Sequence, residues 1–176
     1  VQPVTYELIG KGLELAEKLG EEVVVYLAGS NLASEADALL YYGVDRVYLY
    51  DHPALERFRI EPYTALMVDL VNLIKPNIIL MGATPVGRSL APRVAARLRT
   101  GLTADCTLLD VKPNGDLVQT RPAFGGDVMA QIVTPRHRPQ MATVRHKVMP
   151  MADKVAKPRG EVVHCPVDES LLKSGI

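Results

Sequence analysis

Two short stretches of this chain combine residue types able to hold an anion. In Ile79-Leu-Met-Gly-Ala-Thr-Pro-Val-Gly-Arg-Ser-Leu-Ala-Pro-Arg, an apolar run passes through a Gly-Ala-Thr-Pro turn straight into a helix. Thr84 suits the N-cap, and Pro85 suits the first helical position, where its missing N–H costs nothing. Ligands of open α/β sheets gather beyond the carboxyl ends of strands, where helix N-termini offer free N–H groups and a positive dipole end. Arg88 opposes that dipole by roughly 0.3–1 kcal/mol, so a phosphate or a partner carboxylate is expected beside it, with a solvated arginine as the plainer alternative. The second stretch is Arg121-Pro-Ala-Phe-Gly-Gly-Asp127. Gly125 and Gly126 allow close backbone approach or positive φ, and Arg121 supplies charge beside them; a bulged turn joining two strands accounts for the same pattern.

Other chemistries find less support. No Gly-x-x-x-x-Gly-Lys loop occurs, and no Gly-x-Gly-x-x-Gly follows a strand. Ser170-Leu-Leu-Lys173 matches a Ser-x-x-Lys pattern but lies in a polar tail without the companion motifs. Asp105, Asp110, Asp116 and Asp127 sit where turns and exposed strand ends would put them, so no catalytic carboxylate pair emerges. Cys106 and Cys165 form no Cys-x-x-Cys unit, and His52, His137, His146 and His164 have no ligand spacing. Neither a disulfide framework nor a metal site is expected, and a reducing compartment fits.

The elements that must position these residues are those of one domain, a size that 176 residues allow. No apolar run approaches the ~20 residues a membrane span needs. Formal net charge is zero, but residues 1–80 hold six basic against twelve acidic side chains, and residues 81–176 fourteen against eight. That polarity directs an anionic ligand or an acidic partner surface to the second half. Nucleic acid is not expected, since no dense basic stripe with stacking aromatics is present.

The first half alternates strand and helix. Thr5–Leu19 reads as a helix stopped by Gly20, 22–28 as a strand covered on both faces, 32–42 as a helix and 46–50 as a strand. A helix opening at Pro62 has Tyr63, Leu66, Met67, Leu70, Val71 and Ile74 at helical spacing. Strand 77–82 and the helix after Thr84 complete a third pair, with Pro92 expected to kink that helix. Repeated strand–helix units imply a three-layer α/β/α, doubly wound, mostly parallel sheet. After Gly101 the rhythm changes. Runs 103–111 and 117–121 flank a Pro113-Asn-Gly-Asp hairpin signal, and 128–133 and 141–145 read as two more strands joined by a turn, so this part is expected to be antiparallel. Residues 161–167 read as a strand leaving the domain, and 169–176 show no core-facing pattern. A doubly wound domain usually opens with a strand, whereas this sequence opens with a helix. A leading strand ahead of residue 1 is therefore expected.

Four motifs in order carry a resemblance: Gly82-Ala-Thr-Pro-Val-Gly-Arg-Ser-Leu-Ala-Pro-Arg, Thr100-Gly-Leu-Thr-Ala-Asp-Cys-Thr, Thr120-Arg-Pro-Ala-Phe-Gly-Gly and Arg138-Pro-Gln-Met-Ala-Thr-Val-Arg. Together they resemble the N-terminal domain of the electron transfer flavoprotein alpha subunit, over residues 1–167, with 168–176 as a tail or linker. Asp127 departs from the Asn common in that family. The resemblance implies a fold related to adenine-nucleotide-binding (nucleotide-hydrolase-like) α/β domains and a heterodimer with a beta subunit. It also implies FAD, held mainly by a further C-terminal domain beyond this sequence, with AMP or a second FAD on the beta subunit and no cofactor in this chain alone. Electrons would come from dehydrogenases and pass to an acceptor oxidoreductase, in the cytoplasm of a prokaryote or a mitochondrial matrix. In that setting this domain docks subunits and holds no catalytic residue, and Arg88, Arg121, Gly125 and Gly126 are expected to face the beta subunit or its cofactor. The alternative from another class is an autonomous adenine-nucleotide-binding domain or adenylate-handling enzyme that seats phosphate at the Thr84 helix start.

Overall fold

A computed structural model describes residues 1–172 of the chain. The elements run α1 (Pro3–Leu19), β1 (Val24–Gly29), α2 (Ala33–Leu40), β2 (Arg46–Asp51), α3 (Ile60–Ile74), β3 (Ile78–Gly82), α4 (Pro85–Leu98), β4 (Leu102–Cys106), β5 (Leu108–Val111), β6 (Leu117–Ala123), β7 (Val128–Ile132), β8 (Gln140–Val144), β9 (Glu161–His164) and α5 (Glu169–Leu172). The expected helices and strands of the first half are all present, with boundaries moved by a residue or two. Helix α4 continues through Pro92 to Leu98.

Alternating strand side chains separate two helical layers. Ile79 and Met81 of β3, with Met141 of β8, meet Met67 and Val71 of α3 and Leu90 and Val94 of α4. Their neighbours Ile78, Leu80, Ala142 and Val144 face the other way, onto Leu15 of α1. In the same manner Val25, Leu27, Val47 and Leu49 pack with α1 and α2, while Tyr26, Tyr48 and Tyr50 pack with Leu66 and Leu70 of α3. Helices α1 and α2 thus cover one face, and α3 and α4 the other. Fully burying such a Leu, Val or Met side chain contributes about 1.5–3 kcal/mol, which makes the two-sided packing the main source of cohesion.

Among the described residues the strands form three groups: β1-β2-β9 and β3-β8-β4, both parallel, and the antiparallel β5-β6-β7. The antiparallel part is smaller than the sequence suggests. β8 does not pair with β7; it inserts between β3 and β4, parallel to both. The run 103–111 is split between two sheets, β4 ending at Cys106 and β5 starting at Leu108. Buried Gln140 ties β8 to the β5–β6 hairpin: its Oε1 accepts from Leu117 N–H at 2.7 Å, and its Nε2 donates to the Gly115 carbonyl at 3.0 Å. That hydrogen bonding explains why the chain returns to the parallel sheet at Gln140.

Residues 161–172 also stay with the fold. β9 pairs with β2 as an edge strand instead of leaving the domain. Cys165, Val167, Leu171 and Leu172 then pack against the cluster of Tyr50, Leu55, Leu66 and Leu70. These apolar side chains are too few to show a period in sequence, yet enough to hold 169–172 against α3. The remainder of the expected tail, 173–176, lies outside the described residues.

Candidate functional site

The carboxyl ends of β3, β8 and β4 converge on one edge of the sheet, where Ala83 N–H donates to the Val144 carbonyl at 2.7 Å and Arg145 N–H to the Cys106 carbonyl at 2.9 Å. Helix α4 starts from this edge. Thr84 caps it by accepting from Gly87 N–H at 3.1 Å. Gly87 is dictated by sterics, because a Cβ there would stand 1.9 Å from the Gly82 carbonyl oxygen. The helix start is pressed directly onto the end of β3.

The register of β4 against β8 shifts between Thr103 and Cys106, and Asp105 within that bulge has φ of 62°. Its N–H donates to Thr143 Oγ1 at 2.8 Å. The irregularity turns the Asp105 carboxylate toward two cations. Arg145 Nη2 donates to Oδ2 at 2.6 Å and Nε to Oδ1 at 3.3 Å, a two-pronged pairing. Arg88 Nη2 reaches Oδ1 at 3.5 Å, while its Nε donates to the Ala83 carbonyl at 3.0 Å. The Arg145 hydrogen bond holds the Asp105 carboxyl below its ordinary range, and the fields of Arg145, Arg88 and Arg121 act in the same direction. The partner carboxylate anticipated for Arg88 is therefore Asp105.

Arg121 lies on β6, where its Nε donates to the Pro122 carbonyl at 3.4 Å. Its charge also acts on Cys106, opposing the burial that pushes that thiol up to about 11. Arg88 and Arg145 thus flank one carboxylate, and the charge of Arg121 acts on the same group, so cations outnumber the carboxylate at this sheet edge. Gly125 and Gly126 sit farther along, in the turn between β6 and β7, with φ of 75° and 106° and open space where a Cβ would go. Both are exposed, and beside them Phe124 is 86% exposed. The other arginines of α4 are engaged elsewhere: Arg93 and Arg97 both pair with Glu61 of α3.

Sequence reading singled out Arg88, Arg121, Gly125 and Gly126, left Asp105 among aspartates of turns and exposed strand ends, and gave Arg145 no role. The one available signal for Asp105 was the break of alternation in Leu102-Thr-Ala-Asp-Cys. Among the described residues no group of three or more His, Cys, Asp or Glu is arranged to hold a metal ion. No helix among them is long and apolar enough to cross a membrane.

Comparison with known proteins gives the chain a family. The electron transfer flavoprotein domain matches residues 1–170. Over all 176 residues the chain is 55% identical to a protein of Acetobacterium woodii named lactate dehydrogenase (NAD(+),ferredoxin) subunit LctC, covering 42% of that protein. It is 53% identical over 146 residues to the electron transfer flavoprotein subunit alpha of Clostridium acetobutylicum, covering 82% of this chain and 44% of that one. With the FixB protein of Azorhizobium caulinodans it shares 46% identity, over 95% of this chain and 46% of the relative. The chain spans less than half the length of these relatives. It belongs to the electron transfer flavoprotein family, as a relative of its alpha subunits and FixB proteins.

Proposed function

We propose that this chain is the docking domain of an electron transfer flavoprotein alpha subunit. It holds a flavin domain and a beta subunit in register, so that electrons pass from dehydrogenases to an acceptor oxidoreductase. The observation that carries this reading is the 55% identity to an oxidoreductase subunit along the whole chain, together with the family match over residues 1–170. FAD belongs to the assembled complex and is bound mainly by a second domain, with AMP or a further FAD on the beta subunit.

The arginine-rich sheet edge supports a docking role physically. One carboxylate among Arg88, Arg121 and Arg145 leaves a positive field that attracts an acidic protein surface or a cofactor phosphate and speeds encounter. In this reading Arg88, Arg121 and the Gly125–Gly126 turn face the beta subunit or its cofactor. The test is Arg88→Glu with Arg121→Glu in the full-length alpha subunit co-expressed with beta. At least tenfold weaker association and a lower flavin content are expected; unchanged association and flavin content would overturn the assignment. Titration of the isolated chain with AMP, ATP and FAD separates this from an autonomous nucleotide-binding domain, which would bind adenylate tightly without a partner.

A further inference from the structure

Two strained backbone positions bracket Arg145. Among the described residues, six that are not glycine have positive φ. Lys75 and Arg99 close helices, the ordinary place for this conformation. Asp105, at 62°, and Lys147, at 61°, close none; one is the ion-pair partner of Arg145 and the other follows it by two residues. A left-handed backbone is costly for a residue that carries a Cβ, and it persists only where the surroundings hold it there. Each of the two is held by a buried polar side chain. Thr143 Oγ1 accepts from Asp105 N–H at 2.8 Å, and Glu7 Oε1 accepts from Lys147 N–H at 3.0 Å. Glu7 Oε2 extends its hold to the N–H groups of Val148 and Met149, so three consecutive donors close around one carboxylate. The Arg145 N–H is itself fixed on the Cys106 carbonyl.

The result is a guanidinium fixed at both ends. Arg145 leaves a held backbone and meets Asp105 through Nη2 and Nε, while Arg88 reaches the same carboxylate through Nη2 and ties its own Nε to the Ala83 carbonyl. Nη1 of Arg145 and Nη1 of Arg88 have no partner among the described residues. Both arginine side chains are more exposed than the carboxylate they share. Planar forks with free donors and little freedom left to lose are suited to a second acidic group. Two cations against Asp105 leave one unit of positive charge, which a single carboxylate matches and a phosphate monoester, at about −1.5 to −2, exceeds. Arg93 and Arg97 share Glu61 in the same ratio, but they stand on the regular helix α4, and neither has a strained backbone beside it on which such a hold could act.

We propose, on the docking role already given to this domain, that Arg145 is the specificity-determining arginine of the sheet edge: with Arg88 it receives one carboxylate side chain of the beta subunit, and Glu7 and Thr143 are the positioning residues that hold it ready. The test measures the dissociation constant between the full-length alpha subunit and beta. Formation of the wild-type pair checks the docking role by itself, and its failure removes both readings. Arg145→Lys, which keeps the charge and loses the fork, should weaken association at least fivefold. Glu7→Ala should weaken it at least fivefold in the wild-type background and less than twofold beside Arg145→Ala, while lowering the urea midpoint equally in both. A merely structural Glu7 would weaken association by the same factor in the two backgrounds. Where Glu7→Ala does not fold, Thr143→Val, which keeps the shape and removes the acceptor of the Asp105 N–H, takes its place with the same expected pattern. A stable wild-type pair that is indifferent to Arg145→Lys, or equal factors in the two backgrounds, overturns the proposal and leaves the docking role standing. Millimolar AMP should change association of the wild-type and Arg145→Ala proteins alike; competition seen only with the wild type would give the edge to a phosphate and overturn the carboxylate partner.

Discussion

Asp105 Oδ2 lies 2.6 Å from Arg145 Nη2, joining a bulge in β4 to the residue that follows β8. Because the folded pKa of Asp105 is depressed, the pair contributes stability above the ordinary aspartate value of 3.8, and the contribution is lost as pH falls through the lower folded value. Arg145 is well exposed, so solvent keeps the contribution small. Asp105→Asn retains a side chain that tolerates the left-handed backbone and should cost about 1 kcal/mol at pH 7. Urea unfolding should show this difference at pH 7 and its progressive decline as pH falls below 3.8.

Gly87→Ala drives a methyl group into the Gly82 carbonyl oxygen, which is backbone and cannot swing aside. Such overpacking should cost roughly 1–3 kcal/mol and displace the start of α4. The check is the urea midpoint of the variant, with circular dichroism to confirm that helix content survives.

Glu7, buried on α1, accepts from the backbone N–H groups of Lys147, Val148 and Met149 at 3.0, 3.3 and 3.4 Å. Glu7→Ala leaves these donors without their carboxylate and should cost about 2–3 kcal/mol, with Glu7→Gln losing less. Amide exchange at 147–149 should accelerate in the alanine variant before any change at β2.

The two thiols should differ in reactivity. Cys106 is fully buried, and burial pushes its thiol up to about 11, whereas Cys165, its thiol also raised by burial, is partly accessible. Thiolates are the reacting species, so a disulfide reagent at pH 8 should label Cys165 slowly and Cys106 only as the protein unfolds. Equal labelling of both in the native protein would contradict the packing around Cys106.

Much of this architecture was legible in the residues. The periodicity of Tyr63, Leu66, Met67 and Leu70 defines α3, and Thr84-Pro85 fixes the start of α4, because these signals are local. The destination of β8 was not legible. A turn at 135–139 has the same chemistry whether the next strand pairs with its neighbour or returns to a distant sheet, and the choice rests on Gln140 reaching Leu117 and Gly115. The role of Asp105 was hidden for a related reason: a bulge arises from the pairing of two strands and leaves no more than a break in alternation within one of them. Arg88 was recognisable by type and position, but the carboxylate it shares with Arg145 belongs to β4, and their meeting appears only once the chain is folded.

Both parallel groups are completed by late segments of the chain. β8 joins β3 across the 63 residues that separate Asn77 from Gln140, and β9 joins β2 across the 115 between Arg46 and Glu161. Contacts so distant along the chain require the intervening loops to close before they give any return, which slows folding. During synthesis the early strands must wait beside the ribosome with their edges open until residue 164 has emerged. Nascent chains stopped short of that point should accordingly be the species most prone to aggregation.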